Sequence, residues 1–156
     1  MMLITVKGLE NINRIFHNIQ IFAKNPKNIL GEHIARPIYN EVVKAYETES
    51  DPVTGVKWKK LSDATLKAKK GKGRILYHDG TLQDNTTWDV KDNTAFIGTN
   101  ATAKGYAYPA VHQFGSSSKK IAKRRFLPIT DDGALSDKLV VLMENALNKK
   151  LESLLA

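Results

Sequence analysis

A chain of 156 residues with 42% hydrophobic content fits one globular domain, and the absence of cysteine excludes a disulfide framework, a thiolate nucleophile and a thiolate metal site. The net charge of +8 favours polyanionic partners through long-range attraction. No apolar run approaches the ~20 residues that span a bilayer, so no membrane segment is expected.

The elements follow in chain order. Met1 to Lys7 carries no basic leader and too short an apolar run for a signal peptide, which predicts an unprocessed chain. Within it, Leu3-Ile4-Thr5-Val6-Lys7 reads as a short strand ended by Gly8. Leu9, Ile12, Ile15, Phe16, Ile19, Phe22 and Ala23 then recur at helical steps, predicting an amphipathic helix over 9–24 that Asn25-Pro26 ends. Leu30, Ile34, Ile38, Val42 and Tyr46 predict a second helix over 28–48, which Pro37 should kink or divide.

From Glu49 to Arg74 the periodicity dissolves into turn signals, with one or two helical turns expected between Ser62 and Lys70 and Ser62 as their cap. Trp88–Lys91 and Thr94–Thr99 flank Asp92-Asn93 and predict a hairpin, with Asn93 the better candidate for positive φ. A further strand is expected before the last helix, which is set over 135–155 by Leu139, Leu142, Met143, Ala146, Leu147 and Leu151, with Ser136 or an upstream Asp as cap. No internal repeat is present.

Helices and strands are segregated rather than alternating. That predicts an α+β fold: a small, mostly antiparallel sheet packed against two N-terminal helices and one long C-terminal helix. Each helix carries an apolar stripe able to feed a core. Residues 1–156 form a single domain in this reading, with 50–75 an extended or mobile arm and 115–124 a mobile basic loop.

Charge is concentrated. Residues 55–74 hold eight Lys/Arg and one acid, Asp63, and Lys119, Lys120, Lys123, Arg124 and Arg125 follow with no acid between them. Thus 13 of the 24 basic residues sit in two short segments. Trp58 interleaved with Lys57, Lys59 and Lys60 is a pattern that single-strand binders use, and a solvated loop gives the same pattern. The second basic segment could face nucleic acid or the lumen of an assembly without reading sequence.

Catalytic candidates are weaker. His78-Asp79 resembles a base with its orienting carboxylate, but adjacent residues rarely face one another, and a polar turn before Gly80 explains the pair. His112 lies among aromatics with no reacting partner in view, as a half-buried structural histidine would. The four His residues show no metal-ligand spacing. Gly71-Lys72-Gly73 lacks the longer spacing of a phosphate loop. No cofactor and no enzymatic activity are expected.

Five pieces occur in order: Gly55-Val56-Lys57-Trp58-Lys59-Lys60-Leu61, Ile75 to Leu82, Ile97-Gly98-Thr99-Asn100, Tyr108 to Gly115, and Arg124-Arg125-Phe126-Leu127. Together they resemble the phage virion morphogenesis family, the Mu-like tail-completion group. Trp58, Leu61, Gly80, Leu82, Gly98, Tyr108, His112, Gln113, Gly115, Arg124 and Phe126 occupy the matching positions. Pro109 departs from the pattern, which has Ala after its Tyr, and Lys119-Lys120 makes the following loop unusually basic.

The resemblance implies a non-enzymatic tail-completion, tail-terminator or head–tail connector protein. Such a protein would close into a ring, often hexameric, dock on tail-tube or connector proteins, and pass from the host cytoplasm into the tail or neck of the virion. Trp58, Lys59, Lys60 and Leu61 are the expected subunit or partner interface, since Trp is a favoured anchor. Lys119 to Arg125 would face the lumen. Tyr108, His112 and Phe114 would pin the chain to the sheet, Gly115 would release it, and Phe126 would re-enter the core.

Overall fold

The computed structural model describes residues 9–71 and 73–155, so the strand expected at 3–7 lies outside the described residues. Helix α1 (Leu9–Ala23) ends before Asn25, whose side chain accepts the Asn28 N–H at 3.1 Å and caps the short α2 (Pro26–Asn28). Pro26 sits in its first turn, where a missing N–H costs nothing.

The expected break at Pro37 takes another form. A π-helical stretch, Ile29–Ala35, precedes α3 (Arg36–Thr48), and the Arg36 N–H reaches back five residues to the Gly31 carbonyl. The wider turn makes room for the proline ring, which in a regular helix meets the carbonyl four residues back. It also buries Gly31 and Ala35. A Cβ on Gly31 would stand 3.1 Å from the Trp88 indole, so glycine is what lets helix and hairpin meet there.

The hairpin is β1 (Thr86–Lys91) antiparallel to β2 (Thr94–Thr99), with Trp88 opposite Ile97 and Val90 opposite Ala95. Positive φ occurs at both turn residues, at Asp92 (49°) as well as at the better candidate Asn93 (57°). A two-residue type I′ turn requires both, and its backbone matches the strand twist. These two strands are the only sheet among the described residues. The strand expected before the last helix is replaced by isolated bridges, Ser116 with Ile121 and Ile129 with Leu135.

Between these lie short helices: α4 (Asp63–Ala68), α5 (Thr81–Asp84) and α6 (Tyr108–Phe114). Ser62 caps α4 as its sequence position suggests, accepting the Thr65 N–H at 3.3 Å. The last helix is α7 (Asp137–Leu155).

Two clusters form the core. The larger joins Val42, Ala45 and Tyr46 of α3 to Trp58, Ile75, Leu82, Ala101 and Phe126. The smaller joins Ile38 to Leu139 and Met143 of α7, and Ile97 touches both clusters. The apolar stripe of α7 is therefore only partly used: Val140, Val141, Leu142, Leu151 and Leu155 remain exposed. So do Ile12 and Phe16 of α1, which lies against α7.

Residues 50–61, expected as the start of an arm, are laid on the body. Glu49 ends α3 in a left-handed conformation with φ 49°. From there its carbonyl accepts the Trp58 N–H at 2.8 Å, and its carboxylate accepts the Ile75 N–H at 2.6 Å. One residue thus fixes both the departure of this segment and the return of the chain.

Candidate functional site

The matched pieces of sequence converge on the backbone of Arg124-Arg125-Phe126-Leu127. Gln113, 2% exposed, accepts the Phe126 and Leu127 N–H groups at 3.0 and 2.9 Å through Oε1 and donates Nε2 to the Leu127 carbonyl at 3.1 Å. The Arg124 N–H donates to the His112 carbonyl at 2.7 Å. Trp58 Nε1 donates to the Arg125 carbonyl at 2.9 Å. The four-residue segment is held as a strand would be, by side chains and loop backbone.

Aromatic packing reinforces this. Tyr46 stacks on Phe126 with ring centroids 5.5 Å apart and meets Trp58 edge-on at 6.2 Å. Its hydroxyl lies 3.2 Å from Thr86 Oγ1 at the start of the hairpin, and burial pushes its pKa well up. Trp58 is 5% exposed, so its indole lies in the core of its own chain and offers little area to a partner. Lys59 and Lys60 are exposed and Leu61 is half-buried.

The Tyr108–Phe114 segment is a helix rather than a stretch pinned to the sheet. Pro109 starts it, and Gly115, φ 79°, ends it with an N–H bond to the Val111 carbonyl at 2.8 Å. Helical spacing turns Gln113 inward and leaves Phe114 56% exposed, so Phe114 pins nothing. A Cβ on Gly115 would lie 3.2 Å from the Lys123 backbone nitrogen, which is how close the returning chain passes.

The five basic residues at 119–125 divide. Arg125 is buried and pairs with Asp51 at 3.1 Å and Asp131 at 2.6 Å. A buried guanidinium without such partners would carry a heavy desolvation cost. Lys123 also pairs with Asp131, and Lys123 first, then Arg125, holds that carboxyl below its ordinary value. Lys119 lies over the Tyr106 ring, 4.0 Å from its centroid. Arg124 donates to the carbonyls of Lys59 at 3.1 Å and Lys60 at 3.4 Å. Lys120 is exposed and has no ion pair among the described residues.

His78 and Asp79 form the polar turn that the sequence suggests. Asp79 Oδ1 accepts the Thr81 N–H at 2.9 Å, and Gly80, φ 94°, opens α5. Contacts with Thr81 lower the Asp79 pKa. The φ of Gly80 is one that L side chains rarely adopt, which explains the glycine, and Leu82 behind it enters the core. Gly98 faces open space. Burial, then Arg124, lowers the His112 pKa, and its Nδ1 is buried without a hydrogen-bond partner among the described residues. Tyr108 meets the His112 ring edge-on at 6.1 Å.

His78, Asp79, Tyr108 and His112 line one cleft of about 710 Å³, together with Lys59, Lys60, Lys120 and Arg124. Its charge is cationic, and Asp79 is its one lining carboxylate. Among the described residues no three His, Asp or Glu side chains could hold a metal ion. Nor, among those residues, is any helix long and apolar enough to cross a membrane. No local pattern signals the parts played by Glu49, Asp51 and Asp131, since each acts on a residue far away in the chain or across a turn.

The fold and its convergent motifs define an α+β protein whose matched residues chiefly hold one another in place. The phage virion morphogenesis family matches residues 8–148, and the chain belongs to that family. Its role is accordingly in phage virion assembly. No curated protein and no solved structure matches the chain.

Proposed function

We propose that this chain is a non-enzymatic component of the phage tail or neck that associates with copies of itself into a ring and docks there on tail-tube or connector proteins. Family membership supports the assembly role. The observation that carries self-association is the apolar surface left on α7 and α1. Val140, Leu151 and Leu155 fall on one side of α7 by helical spacing, with the half-buried Leu147 between them. Phe16 on the adjoining α1 is 66% exposed. Exposed apolar surface of this kind commonly marks a protein interface.

A head-to-tail arrangement of such surfaces closes into a ring when the rotation permits. The half-buried motif histidine and the polar turn at His78-Asp79 need no reacting substrate to account for them, which supports the non-enzymatic reading. Light scattering of the chain alone and with its tail-tube or connector partner tests the proposal. A particle several subunits in mass, alone or on the partner, is the expected result. A strict monomer that binds neither copy nor partner overturns it.

Nucleic-acid contact is the competing reading of the same chain. The ion pairs of Lys123 and Arg125 with Asp131 and Asp51 reduce the free cations available to it. Binding to DNA that weakens steeply with salt would favour it.

A further inference from the structure

The cationic cleft lies outside the α1 and α7 surface on which self-association is proposed, and its lining is uneven in an informative way. Lys59, Lys60 and Lys120 line it, and none has an ion-pair partner among the described residues. Leu61, Leu76 and Leu82 supply aliphatic surface. The single carboxylate, Asp79, is already engaged by the Thr81 N–H at 2.9 Å. The cleft thus offers apolar contact and uncompensated positive charge together.

Its walls are preformed. Arg124 ties the Lys59 and Lys60 carbonyls to the 124–127 segment at 3.1 and 3.4 Å. The His112 carbonyl holds the Arg124 N–H at 2.7 Å. A ligand therefore meets a wall already ordered, which lowers the entropy lost on binding. A volume of about 710 Å³ holds several side chains and falls within the usual range for ligand clefts.

We propose that this cleft binds an extended, acidic peptide segment of a partner protein whose carboxylates alternate with aliphatic or aromatic side chains. The carboxylates meet Lys59, Lys60 and Lys120, and the apolar side chains lie on the leucines. Charge-assisted bonds to a carboxylate are stronger than neutral ones, and partial desolvation in a cleft strengthens them.

Single-stranded nucleic acid fits less well. It needs free aromatic faces for its bases to stack on. Arg74 lies over Tyr77, 4.9 Å from its ring centroid, and Tyr108 packs against His112. Beyond these, His78 is the one exposed ring of the lining with no ring or cation contact among the described residues, and a single imidazole is a poor platform for successive bases.

Fluorescence anisotropy on the full chain tests this, with fluorescein-labelled synthetic peptides as probes. One probe alternates Glu with Leu and Phe, a second replaces each Glu by Lys, and a third replaces each apolar residue by Ser. A single-stranded oligothymidine is the fourth. The first probe is expected to bind at least about tenfold more tightly than the others, and Lys59→Glu with Lys120→Glu to weaken it by about tenfold or more. Both lysines are exposed, and circular dichroism of the double variant confirms that it folds.

No binding of the first probe overturns the proposal. So does equal affinity for the Ser-substituted peptide or the oligonucleotide, or an unchanged affinity in the folded double variant. The measurement concerns this cleft alone and stands or falls separately from ring formation on α1 and α7.

Discussion

The indole nitrogen of Trp58 donates to the carbonyl of Arg125 at 2.9 Å, a bond that spans 67 residues of sequence. It joins two of the family's matched pieces inside the core, where neither group meets water. Replacing Trp58 by Phe keeps the ring and orphans a buried carbonyl, so a loss of about 1–3 kcal/mol is expected. Trp58→Ala adds a cavity and should cost about 3–5 kcal/mol. Urea denaturation measures both. If Trp58 served mainly as a contact between subunits, Trp58→Phe would leave monomer stability unchanged.

Gln113 holds three backbone groups of Phe126 and Leu127. Gln113→Leu keeps the bulk and leaves two N–H donors and one carbonyl without their partner. A destabilisation of about 1–3 kcal/mol per buried orphaned group is expected, moderated where the chain relaxes toward water. Amide hydrogen exchange localises the effect: the Phe126 and Leu127 amides should exchange faster in the variant than in the parent. Unchanged exchange at both would contradict this role.

His112 makes stability depend on acidity. Its folded pKa lies below the ordinary 6.5 because burial, aided by Arg124, disfavours the charged ring. The unfolded chain therefore takes up the proton first as pH falls. Stability is full above the ordinary value and declines below it, with a limiting slope of about 1.4 kcal/mol per pH unit for one proton. Denaturant melts through this window should show the slope in the parent and its reduction in His112→Gln. Parallel profiles would remove His112 as the cause.

The exposed stripe of α7 gives a test of assembly that spares the core. Leu151→Glu with Leu155→Glu places charge on side chains that are already exposed. Monomer stability should change by no more than about 0.5 kcal/mol. Self-association should fall by at least about tenfold, read by light scattering or sedimentation. Normal assembly in the double variant would move the interface elsewhere.

Much of the fold was legible because periodicity and turn chemistry act locally. The four-residue steps from Leu30 to Tyr46 locate the second helix, and Asp92-Asn93 locates the hairpin. Ser62 caps its helix where the sequence suggests. The positions misread depend on distant partners. Trp58 sits among exposed lysines and looks exposed, and only Tyr46, Arg125 and Phe126 make it core. Seven residues of α6 give too few turns for periodicity to declare itself, so Phe114 appeared to point inward with its neighbours. The α7 stripe can feed a core along its length, whereas α3 and α1 cover only part of it. As for the candidate site, its basic residues were visible as a charge run, but their division into paired and free required Asp51 and Asp131 in place.

The contact of Tyr46 with Trp58 and Phe126 has a consequence in time. These rings come from three parts of the chain, and the last leaves the ribosome only when most of the protein has been made. Until Phe126 emerges, α3 and the segment from Glu49 to Trp58 lack the surface that covers them. Local helices and the hairpin can form during synthesis, but the main core closes late. A nascent chain halted before Arg124 would present Trp58 to solvent and to chaperones, whereas one released after Leu127 would conceal it.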